Sequence, residues 1–185
     1  ADICFCAKHK NSVVTGMKAF EERGIEAKGY VCDVTSEAMV WLLFSELENK
    51  SCHIDILLNN AGIINRVPMT EMEVADFRSV VDTDLTGPFI VAKTIIPYMI
   101  KRGGGKIINV CGIMSEVGRE TAAAYASAKG GLKMLTRNIA AEYGAYNIQC
   151  NAVAPGYMAT DLNASLRAKL PDGSPNPFDA FICAQ

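Results

Sequence analysis

The sequence predicts an α/β fold, a parallel, doubly wound sheet with helices on both faces, and three observations carry that reading. Short apolar runs of strand length recur along the chain: Ile3 to Cys6, Ala27 to Cys32, Ile54 to Leu58, Lys106 to Cys111 and Ile148 to Ala154. Between them lie longer stretches with apolar residues at helical spacing. No two of these runs are joined by a tight hairpin turn, so each strand reaches its neighbour through a crossover.

Taken in order, Ile3 to Cys6 opens as a buried strand. Asn11 or Ser12 then caps a helix through Val13, Val14, Met17 and Phe20 that stops at Gly24. After the second strand comes Asp33-Val34-Thr35, and Thr35 or Ser36 caps a helix through Trp41, Leu42, Phe44 and Leu47. The third strand runs into Asn59-Asn60-Ala61-Gly62. Thr70-Glu71-Met72-Glu73 has capping-box spacing ahead of a helical pattern from Val74 through Met99, where Pro88 and Pro97 are expected to break or bend the helix. Gly103-Gly104-Gly105 ends that pattern before the fourth strand. The Ala-rich, proline-free run from Thr121 to Gly131, continued by Leu132, Leu135 and Ile139, predicts a long helix closing near Gly144. Beyond the fifth strand the chain changes character. A short helix is expected around Asp161 to Leu170, and Pro171-Asp172-Gly173-Ser174-Pro175-Asn176-Pro177 is dense in turn formers. Residues 155–185 therefore read as a loop or lid on a single unit spanning 1–185.

Composition bounds the function. Half of the 185 residues are apolar and the formal net charge is -2, with acids and bases interspersed, which suits one substantial core. Neither a nucleic-acid footprint nor a polybasic membrane anchor is present, and no apolar run reaches the ~20 residues of a bilayer span. A small-molecule ligand is the expected partner. The seven cysteines are odd in number, and with His9 and His53 as the sole histidines and no repeated Cys-x-x-Cys, neither a disulfide framework nor a metal site is expected. Reduced thiols fit a cytoplasmic protein. The chain opens with Ala1 on a strand and so is expected to start inside a larger protein.

Tyr125 and Lys129 stand four residues apart on the expected long helix, which puts phenol and ammonium on one face. A neighbouring cation favours the phenolate and lowers a pKa that starts near ~10 towards the working range of a general acid or base. A tyrosine packed on an apolar face with a lysine running past it has the same spacing. Ligands of open parallel sheets bind beyond the carboxyl ends of the strands. Asn59-Asn60-Ala61-Gly62 and Pro155-Gly156, with Thr160 beyond, lie at two such ends.

Asp33 after a strand, Asn59-Asn60-Ala61-Gly62, Tyr125-x-x-x-Lys129 and Pro155-Gly156-x-x-x-Thr160, in that order, resemble the short-chain dehydrogenase/reductase family over almost the whole chain. The runs Asn60 to Met69, Gly118-Arg119-Glu120-Thr121 and Tyr146 to Asn151 are most similar to its gluconate 5-dehydrogenase branch, as is the tail Pro177 to Ile182. The resemblance implies a Rossmann-like fold and hydride transfer between NAD(P) and a hydroxyl or keto carbon of a sugar acid or polyol. A 3-oxoacyl-carrier-protein reductase on the same scaffold, or a catalytically silent homologue or fragment, is the alternative.

By the same resemblance Tyr125 is the acid/base, and Lys129 lowers its pKa and holds the nicotinamide ribose. Asp33 and Val34 meet the adenine, Asn59, Ala61 and Gly62 line the adenosine and ribose side, and Pro155, Gly156 and Thr160 hold the nicotinamide end. Arg66 suits a carboxylate, whose geometry a guanidinium matches. Three departures are expected to bear on activity. Gly112 stands where the family places a serine, and Asp84 where it places a helix asparagine. The family's first strand with its Gly-rich turn, and its last strand, have no counterpart here, so a parent of about 250 residues is expected. After the opening strand come Ala7, Lys8 and Lys10 without an acid, which favours NADP and leaves NAD open. A homotetramer is implied by the resemblance alone.

Overall fold

The computed structural model describes residues 2–158, 160, 164–174, 176 and 177. The chain folds as β1 (Ile3–Ala7), α1 (Lys10–Glu21), β2 (Ala27–Val31), α2 (Glu37–Asn49), β3 (Ile56–Asn59), α3 (Val74–Val81), α4 (Gly87–Arg102), β4 (Gly105–Val110), α5 (Ala123–Tyr143), β5 (Ile148–Val153) and a single turn, α6 (Ala164–Arg167). Strand and helix alternate as the apolar patterning predicts.

The local stops and starts follow the backbone chemistry unevenly. Ser36 caps α2, its Oγ accepting from the Met39 amide at 3.4 Å. Gly24 (φ 68°) and Gly103 (φ 89°) take the left-handed conformation beyond α1 and at the end of α4. The other caps differ from expectation. α1 already starts at Lys10 after an extended His9, so Asn11 and Ser12 lie inside it. The Thr70 to Glu73 box does not form, because Glu73 itself is the extended residue ahead of α3 and bonds no amide with its side chain.

Pro88 does not end the helix either. Between α3 and α4 the chain widens into a π-turn over Asp82–Thr86, closed by the Gly87 amide on the Asp82 carbonyl, five residues back. Proline at 88 lacks an amide and its ring crowds the carbonyl four residues earlier, and widening the turn relieves both.

All strand pairs are parallel, in two groups: β1-β2, and β3-β4-β5. Among the described residues no strand pairs with the outer edge of β1 or of β3, which agrees with a parallel sheet expected to lack its first strand. Ile56 and Leu58 on β3 remain 60% and 57% exposed.

One core spans both groups. Cys32, just past β2, packs with Val40 and Phe44 of α2, with Ile90, Ile95 and Met99 of α4, and with Ile107, Ile139 and Ile148 from β4, α5 and β5. A smaller cluster joins Val80 of α3 to Ala124 and Ala128 of α5. Small residues there let α3 and the π-turn approach α5, which places Asp84 beside Lys129.

Of the tail, α6 falls within the expected helix, while Asp161 and residues 178–185 lie outside the described residues. The lid expected over 155–185 falls partly on residues outside the described ones.

Candidate active site

The site grows from the carboxyl ends of β3 and β4 and the first turns of α5. Lys129 and Asp84 are buried together, Nζ to Oδ2 3.2 Å. Lys129 donates a hydrogen bond to the Val110 carbonyl at the end of β4 (2.8 Å), and Asp84 Oδ1 accepts from the Ile63 amide beyond β3 (2.8 Å). Asp84 Oδ2 faces the ammonium without hydrogen-bond geometry. A Cβ built at Gly62 would stand 2.8 Å from that oxygen, so the turn after β3 approaches the ion pair closely because residue 62 has no side chain.

Tyr125 is half-buried, its ring centroid 5.4 Å from Lys129 Nζ. The lowering of its pKa expected from Lys129 is reversed. Burial is the first cause raising the phenol, the Asp84 carboxylate is the second, and Arg66 pulls the other way. Sequence spacing shows the helix neighbour and hides the carboxylate that arrives from the π-turn. Asp84 is itself raised, by burial first, with Lys129 opposing.

Gly112 is extended (φ 165°, ψ 168°), a backbone any residue adopts, and a Cβ there would lie 3.6 Å from the Tyr125 hydroxyl. A serine would fit without strain beside the phenol. Ser115 is not a substitute, since its Oγ donates to the Gly112 carbonyl at 2.7 Å.

Arg66 is half-buried, with Nε and Nη1 shielded from solvent and lacking any hydrogen-bond partner. Its pKa is lowered by burial first and then by Arg119, while Tyr157 and Tyr125 oppose. Arg119 and Tyr157, to which the sequence assigned no role, pair with each other. Arg119 Nη1 donates to the Tyr157 hydroxyl at 3.0 Å, and its guanidinium carbon lies 5.9 Å from that ring's centroid. Two residues on, Thr121 holds φ 60°, an outlier for a β-branched residue, in a turn where the Ala122 amide bonds the Arg119 carbonyl (3.3 Å). A cation six residues ahead of Tyr125, in the run Gly118-Arg119-Glu120-Thr121, is the signal that could have found Arg119. Nothing in the sequence marks Tyr157 beyond its place after Gly156.

The other expected residues are more scattered. Lys8 and Asp33 pair at 2.8 Å past the ends of β1 and β2, and Asp33, which also accepts from Thr35, is pulled down to about 2 with the Lys8 hydrogen bond as first cause. Val34 packs where a Cβ on Gly87 would stand, 3.0 Å from its Cγ2. The Asn59 side chain turns inward and donates to Asn109 Oδ1 at 2.9 Å. The Pro155 carbonyl accepts from the Ile113 amide (3.3 Å), which ties the chain after β5 to the Gly112 loop. Gly156 has open space around it, Ala61 is exposed, and Thr160 is exposed with its carbonyl bonded by Arg167. Among the described residues no cluster of three or more His, Cys, Asp or Glu is placed to hold a metal ion.

A model of the short chain dehydrogenase family matches residues 1–171. The chain belongs to the short-chain dehydrogenase family. Among its family relatives, a 2-dehydro-3-deoxy-D-gluconate 5-dehydrogenase from Formosa agariphila is 49% identical over 173 residues, 94% of this chain and 64% of the relative. The chain thus spans under two thirds of that protein's length. The crystal structure of a 2-keto-3-deoxy-D-gluconate dehydrogenase from Streptococcus agalactiae is 56% identical with a TM-score of 0.76, covering 100% of this chain and 69% of that one. A gluconate 5-dehydrogenase from Burkholderia cenocepacia, solved with NADP and tartrate, is 36% identical with a TM-score of 0.84, covering 98% and 75%. These likenesses agree with the Rossmann-like class expected for parallel sheets flanked by helices. No helix among the described residues of this short-chain dehydrogenase is long and apolar enough to cross a membrane.

The residues present fit a dinucleotide. Open backbone at Gly156, an exposed Ala61, and an ionised Asp33 beside an exposed Lys8 leave room and polar partners along the strand ends.

Proposed function

We propose that this chain is the catalytic part of an NADP-linked oxidoreductase that moves a hydride to or from a hydroxyl or keto carbon of a sugar acid, in the manner of a gluconate 5-dehydrogenase. The observation that carries the reading is that Arg66 Nε and Nη1 are shielded and lack a hydrogen-bond partner, and that the Arg66 charge opposes the rise of the Tyr125 phenol. A carboxylate supplies that guanidinium with the charge-assisted bonds it is missing. The names of the relatives, which specify gluconate or its 2-dehydro-3-deoxy form, support the same class.

When bound, the nicotinamide supplies the hydride chemistry. Tyr125 gives its proton to the carbonyl oxygen in reduction and takes it back in oxidation. Lys129, fixed by the Val110 carbonyl and Asp84, holds a ribose hydroxyl and keeps positive charge near the phenol. Lys8, Asp33 and Val34 are assigned to the adenosine end, Asn59, Ala61 and Gly62 to the adjoining ribose, and Pro155, Gly156 and Thr160 to the nicotinamide end. Lys8 and Lys10, with no carboxylate on the turn after β1, favour a 2′-phosphate and hence NADP over NAD. A cytoplasmic homotetramer is the assembly and compartment that accompany this reading, by family resemblance.

The test is formation of reduced nicotinamide by the full-length chain with gluconate and with 2-dehydro-3-deoxygluconate. Turnover of neither, or of 3-oxoacyl thioesters instead, would falsify the substrate class. The Gly112→Ser variant separates a slowed enzyme from a silent one. Restoring a donor beside the phenol is expected to raise kcat, by up to ~10²-fold, the scale on which one such donor acts. A silent homologue would show no turnover before or after the change.

A further inference from the structure

We propose that Cys4 and Cys52 form a thiol pair that closes to a reversible intramolecular disulfide under a disulfide oxidant, stapling β1 to the chain that enters β3.

Geometry carries the pairing. Cys4 Sγ and Cys52 Sγ stand 3.8 Å apart, in hydrogen-bond contact, although the residues are 48 positions apart in the sequence. Both are free thiols, half-buried rather than sealed in the core. Each sulfur hangs from a backbone fixed by hydrogen bonds. Cys4 lies inside β1, in parallel register with Lys28 of β2. Cys52 ends the turn that closes α2. There Ser51 takes the left-handed conformation (φ 54°), its amide donates to the Glu48 carbonyl (2.8 Å), and the Cys52 amide donates to the Leu47 carbonyl (2.9 Å). That double closure satisfies the last carbonyls of the helix and sets where the chain leaves it. Side-chain rotation is what remains between this contact and the ~2.05 Å of a bond.

Oxidised glutathione supplies the electron acceptor. One protein thiolate attacks a glutathione sulfur, breaking that S–S bond and releasing one glutathione thiolate. The second protein thiolate then attacks the protein sulfur of the mixed disulfide and releases the other. Two protein thiols are oxidised, one glutathione disulfide is reduced, and the two protons lost by the protein end on the glutathione thiols. Burial is the first cause raising the Cys4 thiol, the Cys52 sulfur and Asp2 add to it, and Lys28 opposes. Closure should therefore quicken as pH rises and more thiolate forms. The pair stays open in a reducing pool. Cys4 is the second residue of β1, and Cys52 precedes the first residue of β3, Ile56, so the staple lies at the amino ends of these strands, opposite Lys8 and Asn59.

The test treats the full-length chain with oxidised glutathione and maps its tryptic peptides without reduction. Cleavage after Lys8, Lys50 and Arg66 leaves Cys4 and Cys6 on one peptide and Cys52 on another. A cross-link between the two peptides, within one chain and reversed by dithiothreitol, is expected. Cys4→Ser and Cys52→Ser should each abolish it, and Cys6→Ser should leave it in place. Fragmentation of the wild-type cross-link assigns Cys4 or Cys6 even where a serine variant does not fold. The oxidised chain should melt about 5 °C or more above the reduced one, because the bridge restricts the unfolded chain, and Cys52→Ser should show no such rise. Glutathione adducts without a cross-link, a cross-link through Cys6, or one formed only between chains would each overturn the proposal. An oxidised chain no more stable than the reduced one would overturn the staple.

Discussion

Asp84 is the residue that most alters how this site should titrate. With Tyr125 in the proposed acid/base role, the phenolate is the competent form in oxidation, so the rate on that group should rise with pH as the phenol ionises. Burial and the Asp84 carboxylate both raise the folded pKa above the ordinary value of 10.0, which moves the rising limb towards alkaline pH. Reduction needs the protonated phenol and should be insensitive to this group around neutrality. Asp84→Asn keeps an acceptor for the Ile63 amide and removes the negative charge. The alkaline limb of the kcat profile for oxidation should therefore move to lower pH, and a profile left in place or moved upward would show that the carboxylate does not act on Tyr125.

At the scale of elements, α5 carries the proposed acid/base pair and is tied to the sheet by buried polar bonds. Asn59 of β3 donates to Asn109 of β4, Asn109 Nδ2 donates to Thr136 Oγ1 of α5 (2.8 Å), and Thr136 in turn donates to the Leu132 carbonyl (2.8 Å). Asn109→Leu strands the Asn59 amide in the core, and with the loss at Thr136 should cost about 2–4 kcal/mol of unfolding free energy by denaturant titration. A cost under ~1 kcal/mol would mean that the bonds are replaced by water.

The order of strands and helices, and the pairing of Tyr125 with Lys129, were legible because hydrophobic period and helical spacing are local properties. The environment of that pair was not. Asp84 reaches it through a π-turn that Pro88 induces, a widening with no marker in the periodicity, and Arg119 and Tyr157 are 38 residues apart and meet across the fold. Asn59 read as a strand-end ligand group because its inward rotamer depends on Asn109, fifty positions later. Helix starts are not legible where an extended backbone at His9 or Glu73 begins the helix without a capping side chain.

For the whole molecule the unpaired strand edges matter most. β3 presents an unpaired edge among the described residues with Ile56 and Leu58 largely exposed, the pattern that templates strand addition from another chain. The 185-residue chain should associate with rising concentration, and Leu58→Lys should lower the light-scattering mass at a given concentration while leaving Tm nearly unchanged. A drop in Tm with no change in mass would show that Leu58 packs within one chain.

The polar connection from Asn59 through Asn109 to Thr136 also limits the mutational routes open to such a protein. Each member satisfies the next, so a drift to an apolar residue at one position is penalised until the others follow, and the intermediate sequences are the unstable ones. Homologues with an apolar residue at one of the three positions should therefore have changed the other two as well, so the three sites evolve as a single character.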